Sequence, residues 1–181
     1  MTHGADPPMR PIDAGLLSLE PQTVQHADEM FAVLSDPAIY EFENQPPASR
    51  EWLRTRFGKL ESRRSADGTE QWLNWVVRTA GGGLIGYVQA TVRADGSAAI
   101  AYELSSAHWG RGFGRRAVEA MLVELVARYR VTAFVAVAKQ QNFRSLRLLE
   151  RLGFAPADPD RHAPGEIEPG EVLLVRDGGL P

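Results

Sequence analysis

The spacing of apolar positions along this chain switches between helix and strand periods. Residues 16–20, Leu-Leu-Ser-Leu-Glu, can make a first strand that Pro21 ends. Over 24–34, Val24, Ala27, Met30, Phe31 and Leu34 fall on one helical face, and Asp36-Pro37 stops the helix. A second helix is predicted over 49–62, with Ser49 as N-cap and Trp52, Leu53, Phe57 and Leu60 facing inward. The connection between the two, residues 39–47, ends in Pro46-Pro47 and is too proline-rich to continue either helix.

Residues 73–79, 84–93 and 97–104 then read as three strands. The turns at 80–83 (Ala-Gly-Gly-Gly) and 94–96 (Ala-Asp-Gly) make them an antiparallel meander. Past a glycine loop the pattern becomes helical to about Tyr129, with Val118, Met121, Leu122, Leu125, Val126 and Tyr129 on a single stripe. A short buried strand over 133–137, a helix over 142–152, a strand beginning at Phe154 and a last strand over 171–175 complete the order. Strands first and a strand-helix-strand unit later predict a mixed α/β sheet. Residues 1–14, rich in Pro, Gly and Asp, read as a flexible leader before a single domain over 15–181, and no internal repeat interrupts it.

Composition narrows the function without choosing it. A chain of 181 residues with 44% hydrophobic and 24% charged content can bury the core of one globular domain. A net charge of -3 argues against a generally basic nucleic-acid or membrane-surface binder, while leaving room for a local basic patch at Arg111, Arg115 and Arg116. The absence of cysteine excludes disulfides, thiolate metal sites and an acyl-cysteine intermediate. No apolar run approaches the ~20 residues of a membrane span and the start has no signal-peptide core, so the cytoplasm is the expected location.

The candidate chemistry lies in His108-Trp109-Gly110-Arg111-Gly112-Phe113-Gly114-Arg115-Arg116. Glycines at alternate positions before an amphipathic helix leave backbone N–H groups unshielded at the positive end of its dipole, where an anion can be held. A glycine turn alone also reads as a tight strand-to-helix connection. Three arginines crowding a helix N-terminus oppose the dipole by roughly 0.3–1 kcal/mol each, a conflict that a bound diphosphate resolves. A Walker loop would need Gly-Lys-Ser/Thr, and a dinucleotide fold an early first strand with a later acidic residue; neither is present.

Residues 97–154 resemble the core of the GNAT superfamily of acetyl-CoA-dependent N-acetyltransferases, both in order of elements and in the signature Gln/Arg-x-x-Gly-x-Gly/Ala. Gly112 and Gly114 match it, and Trp109 departs at the first position. The Trp-Gly-x-Gly loop, with Asp36-Pro37 and Pro46-Pro47 upstream, is similar to the branch that acetylates protein N-termini, the ribosomal-protein alanine/serine acetyltransferases.

The resemblance implies a mostly antiparallel sheet of six to seven strands, splayed between the fourth and fifth and flanked by about four helices. It implies acetyl-CoA as cofactor, its pyrophosphate held by backbone N–H groups of Gly110, Arg111, Gly112, Phe113, Gly114 and Arg115, with Trp109 packed under the loop. The pantetheine arm would add to the strand edge around Leu104. Asn142 reads as a helix N-cap, and by resemblance helps hold the cofactor arm. Ser145 then stands where a hydroxyl can protonate the departing thiolate; Leu148 and Leu149 fill the neighbourhood where other branches place a tyrosine, leaving Ser145 as the local hydroxyl.

Direct acetyl transfer needs a neutral amine, so a base is required. Glu103 projects from the face opposite Tyr102 and Leu104 in a regular strand and is either a solvated carboxylate or that base, acting directly or through water. Glu41 and Glu43 read as exposed loop charges, or as groups that draw a cationic amine into an acceptor channel lined by residues 39–47. His3, His26, His108 and His162 are scattered without a ligand pattern, so no metal is expected, and no Gly-x-Ser-x-Gly elbow suggests a hydrolase. The expected partner is a primary amine, of a protein N-terminus or of a small molecule such as a polyamine, amino acid or aminoglycoside. No nucleic acid or membrane is expected, and a homodimer is the prior for a soluble enzyme. A non-catalytic acyl-CoA sensor would keep the same cradle.

Overall fold

The computed structural model describes residues 7–42, 44–158 and 167–179. Its strands are β1 (Ile12–Asp13), β2 (Leu17–Pro21), β3 (Glu70–Thr79), β4 (Leu84–Arg93), β5 (Ser97–Leu104), β6 (Ala133–Lys139), β7 (Ala155–Pro156) and β8 (Glu171–Asp177). The helices are α1 (Ala27–Leu34), α2 (Arg50–Leu60), α3 (Phe113–Tyr129) and α4 (Phe143–Arg151). The strands form one sheet in the order β1-β2-β3-β4-β5-β6-β8-β7. Two-residue strands at both edges bring the count to eight, above the six to seven expected.

Every neighbouring pair is antiparallel except β5 and β6, which α3 connects as parallel strands. That pair shares only three register positions, Ser97 with Ala133, Ala98 with Phe134 and Ala99 with Val135, before the strands part. The splay expected between the fourth and fifth strands of the sequence reading is therefore present.

Helices cover both faces. One core joins the sheet to α3 and α4 through Trp75, Phe134, Met121, Leu125 and Leu149; a smaller one joins it to α1 and α2 through Met30, Leu34, Leu53, Phe57 and Val76. Ser49 caps α2 as predicted, its hydroxyl accepting from Trp52 N at 3.0 Å. Trp52 itself does not face inward: it is 47% exposed, while Leu53 and Phe57 carry the buried stripe. Val24 is likewise exposed, in a 3-10 turn (Val24–His26) that precedes α1.

Part of the segment expected to be a flexible leader over 1–14 makes contacts with the domain. Met9, Ile12 and Ala14 lie against the main core, and β1 pairs with β2. The physical reason is Glu124, a carboxylate buried on α3 that needs partners: Arg10 grips it through Nε at 2.9 Å and Nη2 at 2.8 Å, and Arg128 donates at 3.3 Å. The Arg10 carbonyl accepts the indole N–H of the buried Trp75 at 3.1 Å. Residues 1–6 lie outside the described chain.

Gly86 positions the part of β5 that matters for chemistry. The β3/β4 register slips between Val77 and Arg78, leaving Gly86 directly opposite Leu104. A Cβ at Gly86 would stand 2.0 Å from the Glu103 carbonyl oxygen and 2.7 Å from Leu104 Cα. Gly86→Ala must push β5 outward at those residues, and it should lower unfolding free energy by about 1–3 kcal/mol. Denaturant titration monitored by tryptophan fluorescence checks this, an unchanged midpoint being the contrary result.

Candidate active site

The parting of β5 and β6 leaves a strand edge without a partner strand. Ser105 N donates back to Ile85 O at 2.8 Å on the β4 side, so strand parity turns the N–H and C=O of Tyr102 and Leu104 toward the opening. The Leu104 carbonyl is already engaged, accepting the Trp109 indole N–H at 2.8 Å. Trp109 thus packs beside the loop, as expected, and also ties that loop to the strand edge.

A 3-10 turn (Ser106–His108) leads into the glycine loop, and α3 starts behind it with Gly112 as N-cap. Gly110 (φ 73) and Gly112 (φ 76) adopt left-handed backbone, and a Cβ on either would meet nothing within 4 Å. Arg116 N is the first amide of α3 to reach back along the helix, to Gly112 O at 3.1 Å. The amides of Phe113, Gly114 and Arg115 are thus first-turn donors without an intrahelical acceptor, beside open space. Gly114 has a different reason to be small: a Cβ there would lie 3.0 Å from Leu148 Cδ1, so it lets α4 approach the start of α3.

The cations of the loop divide. Arg115 lines the cleft, whereas Arg111 does not, and Arg116 turns away to donate to Ala14 O at 3.3 Å. The basic lining comes instead from α4, through Arg144, Arg147 and Arg151, which sequence reading passed over. Arg144 lies over the Trp109 ring, 3.4 Å from its centroid, and reaches Glu41 at 3.8 Å.

The other predicted residues fall as follows. Asn142 caps α4, its Oδ1 accepting from Ser145 N at 3.1 Å, and both residues line the cleft. Ser145 is not the only hydroxyl there: Tyr102 Oη stands 2.8 Å from Ser145 Oγ, from the strand across the opening. Strand alternation was the available signal, since it already placed Tyr102 on the face of β5 opposite Glu103.

Glu103 is on the acceptor side, half-buried, accepting from Asn44 Nδ2 at 3.2 Å, with Tyr87 on the same cavity wall. Burial, and then the Glu103 charge and hydrogen bond, hold the Tyr87 hydroxyl well above its ordinary pKa, so it stays a donor. Glu41 is exposed, paired with Arg144 and absent from the cleft wall; Glu43 lies outside the described residues.

Asp36 joins the two halves. Its Oδ2 accepts from Ser106 N at 2.7 Å and its Oδ1 from Ala38 N at 3.0 Å, so one carboxylate fixes the acceptor-side connection to the turn before the glycine loop. Hydrogen bonds from the Ser106 side chain and backbone hold it below the usual carboxylate range. Tyr102, Glu103, the glycine loop, Arg115, Asn142 and Ser145 border one cavity of about 930 Å³ that passes from the glycine loop through the splay to α1 and α2, within the size range of cofactor clefts. Among the described residues no group of three or more His, Asp or Glu could hold a metal, and no helix is long and apolar enough to cross a membrane.

Residues 17–155 match the family described as "Acetyltransferase (GNAT) domain", and the chain belongs to that family. It is an acetyl-CoA-dependent N-acetyltransferase. A search of curated protein sequences finds no match. Among solved structures, the ribosomal-protein-S5-alanine acetyltransferase of Vibrio fischeri superposes with TM-score 0.77 at 16% identity, over 94% of this chain and 97% of its own. The ribosomal L7/L12 α-N-protein acetyltransferase RimL, in complex with coenzyme A, gives 0.78 at 15% identity over 93% and 98%. The microcin C7 self-immunity acetyltransferase MccE, in complex with acetyl-CoA and AMP, gives 0.75 at 15% over 90% and 93%. At these identities the likeness is one of fold.

The residues present fit acetyl-CoA: first-turn amides and Arg115 face open space for a diphosphate, and an unpaired strand edge runs inward from them. Gly112→Glu would place a β-carbon in left-handed backbone and a negative charge in the anion's space. It should weaken acetyl-CoA binding by at least about 100-fold in calorimetry with the fold retained by circular dichroism; wild-type affinity would contradict the assignment.

Proposed function

We propose that this enzyme acetylates the α-amine of a protein N-terminus by direct attack in a ternary complex. The observation that carries the reading is the back-to-back placement of two proton-handling groups on β5. Glu103 faces α2 with Tyr87 and Asn44, and Tyr102 faces α4 with Ser145, both on the same cavity. When bound, acetyl-CoA supplies a thioester carbonyl open to an amine. Glu103, directly or through a water, takes the proton that an ammonium must lose before it can attack. The Tyr102–Ser145 pair, on the opposite side of the splay, would supply the proton that a departing thiolate needs. Gly110, Gly112, Phe113, Gly114 and Arg115 would hold the diphosphate, and Leu104 and Asn142 the arm.

Acid-base chemistry favours an α-amine. An N-terminal ammonium has pKa about 8, so roughly a tenth is neutral at pH 7, whereas for an alkyl ammonium near 10.4 the neutral share is below about one in a thousand. A lone carboxylate therefore has far less to do for a peptide. Glu103 is the sole acidic side chain among the described residues of the cavity wall, against Arg56, Arg115, Arg144, Arg147 and Arg151, an environment that opposes a polycationic acceptor such as a polyamine or aminoglycoside. The fold likeness to ribosomal-protein acetyltransferases supports the same class.

Thiol release from acetyl-CoA should be fastest, as kcat/KM, with peptides beginning Ala or Ser, exceeding polyamines, free amino acids and aminoglycosides at pH 7. A small amine outpacing every peptide would reject the reading. Glu103→Gln should lower turnover by about 100-fold with acetyl-CoA affinity retained. Tyr102→Phe and Ser145→Ala should each lower kcat, and because the two hydroxyls act as a unit the double variant should fall no further than the worse single one. Strictly additive losses would separate their roles.

A further inference from the structure

One cation on the acceptor side has no ion-pair partner among the described residues. Arg56 lines the cavity from α2, exposed, with its guanidinium over the Trp52 ring at 5.6 Å from the centroid. Among the described residues no carboxylate lies within ion-pair distance of it. Its neighbours differ: Arg54 holds Asp28 at 2.6 Å, and Arg144 at the other end of the cavity reaches Glu41. Trp52 and Arg56 are one helical turn apart, and this large ring is left 47% exposed beside the cavity while Leu53 and Phe57 fill the core. An exposed ring under a cation orients the guanidinium and leaves its N–H edge free for a planar anion.

The pair shares its surroundings with the base. Arg56, Tyr87 and Glu103 line the same cavity, and the charges of Arg56 and Glu103 both act on the Tyr87 hydroxyl. Gln22 also lines this cavity and is buried, and its amide nitrogen has no hydrogen-bond partner among the described residues. The acceptor side thus offers one negative group where an ammonium must lose its proton, and donors elsewhere.

We propose that Arg56, stacked on Trp52, is a carboxylate subsite, so that the preferred acceptor is a polypeptide N-terminus with an Asp or Glu side chain within its first few residues. This inference rests on the N-terminal reading above and adds a specificity determinant to it. A planar guanidinium can take a carboxylate through two parallel N–H···O bonds, and the wrong charge at that point is repelled. A free amino acid also joins an amine to a carboxylate, and the test separates that source from a peptide side chain.

The experiment measures kcat/KM with acetyl-CoA for peptides beginning with Ser, carrying Asp, Asn or Lys walked through positions two to four, and for free serine and aspartate. The wild-type enzyme should prefer Asp to Asn by about fivefold at one of those positions, with the preference shrinking as salt is raised from low to about 0.5 M. Arg56→Gln should equalise the Asp and Asn peptides. Arg56→Glu should invert the order toward Lys, a gain that damage to the fold cannot produce. Equal rates for Asp and Asn peptides in the wild type, or a preference surviving in Arg56→Gln, overturn the subsite while leaving N-terminal acetylation standing. Acetylation of free amino acids with no peptide accepted overturns the N-terminal reading and this inference with it.

Discussion

Strands β5 and β6 are joined over only three positions, and the function of the molecule follows from what that brevity leaves open. A buried strand edge is costly unless something pairs with it, since each unpaired N–H or C=O forfeits a hydrogen bond. Here the edge from Ile100 to Leu104 borders a cavity instead of a neighbouring strand, and it has the spacing an extended amide-bearing chain needs to pair with it. The structure keeps that edge in place from behind. Gly86 allows β4 to press against Glu103 and Leu104 at a distance no other residue tolerates, and Trp109 anchors the Leu104 carbonyl from the side of the loop.

The same parting sets the division of labour across the sheet. Successive residues of a strand point to opposite faces, so Tyr102 and Glu103, adjacent in sequence, serve opposite sides of one opening. Glu103 belongs to the layer of α2 and the connection that follows α1; Tyr102 belongs to the layer of α3 and α4. Coordination between the layers is local and electrostatic: Asp36 carries the acceptor-side connection to the turn at Ser106, and Arg144 spans from Trp109 to Glu41. Both tethers end at or just before the glycine loop, so the connection after α1 and that loop share one frame.

How far this was legible in the sequence depends on whether a feature is local. Ser49 and Asn142 cap their helices because capping is settled within one turn, and the meander and the late strand-helix-strand unit follow from period and turn residues. The glycine loop was legible for Gly110 and Gly112, whose left-handed backbone is a local demand, but Gly114 owes its size to Leu148 on another helix. Nothing local separates Arg115, which faces the cleft, from Arg116, which donates to Ala14. The leader looked flexible by composition because its anchor, Glu124, lies far along the chain. Trp52 was placed inward by hydrophobicity alone; its position on α2 leaves it exposed beneath a guanidinium.

The distribution of charge along the cavity gives the fold a direction. Cations concentrate where α4 and the start of α3 converge, as an anionic cofactor requires, and the dipole of α3 adds to them. Were that field uniform, it would repel the ammonium form of any amine and leave the acceptor side without a means of recruiting it. Glu103 interrupts it, on the far face of β5, where the Asn44 amide donates to it without neutralising it. A sensor that merely bound the cofactor would have no need of an oriented carboxylate on one side of the splay or a paired hydroxyl on the other. Their joint presence beside an unpaired strand edge is what suits the cleft to the proposed transfer, with a carboxylate to take a proton on one face of β5 and a hydroxyl pair to give one on the other.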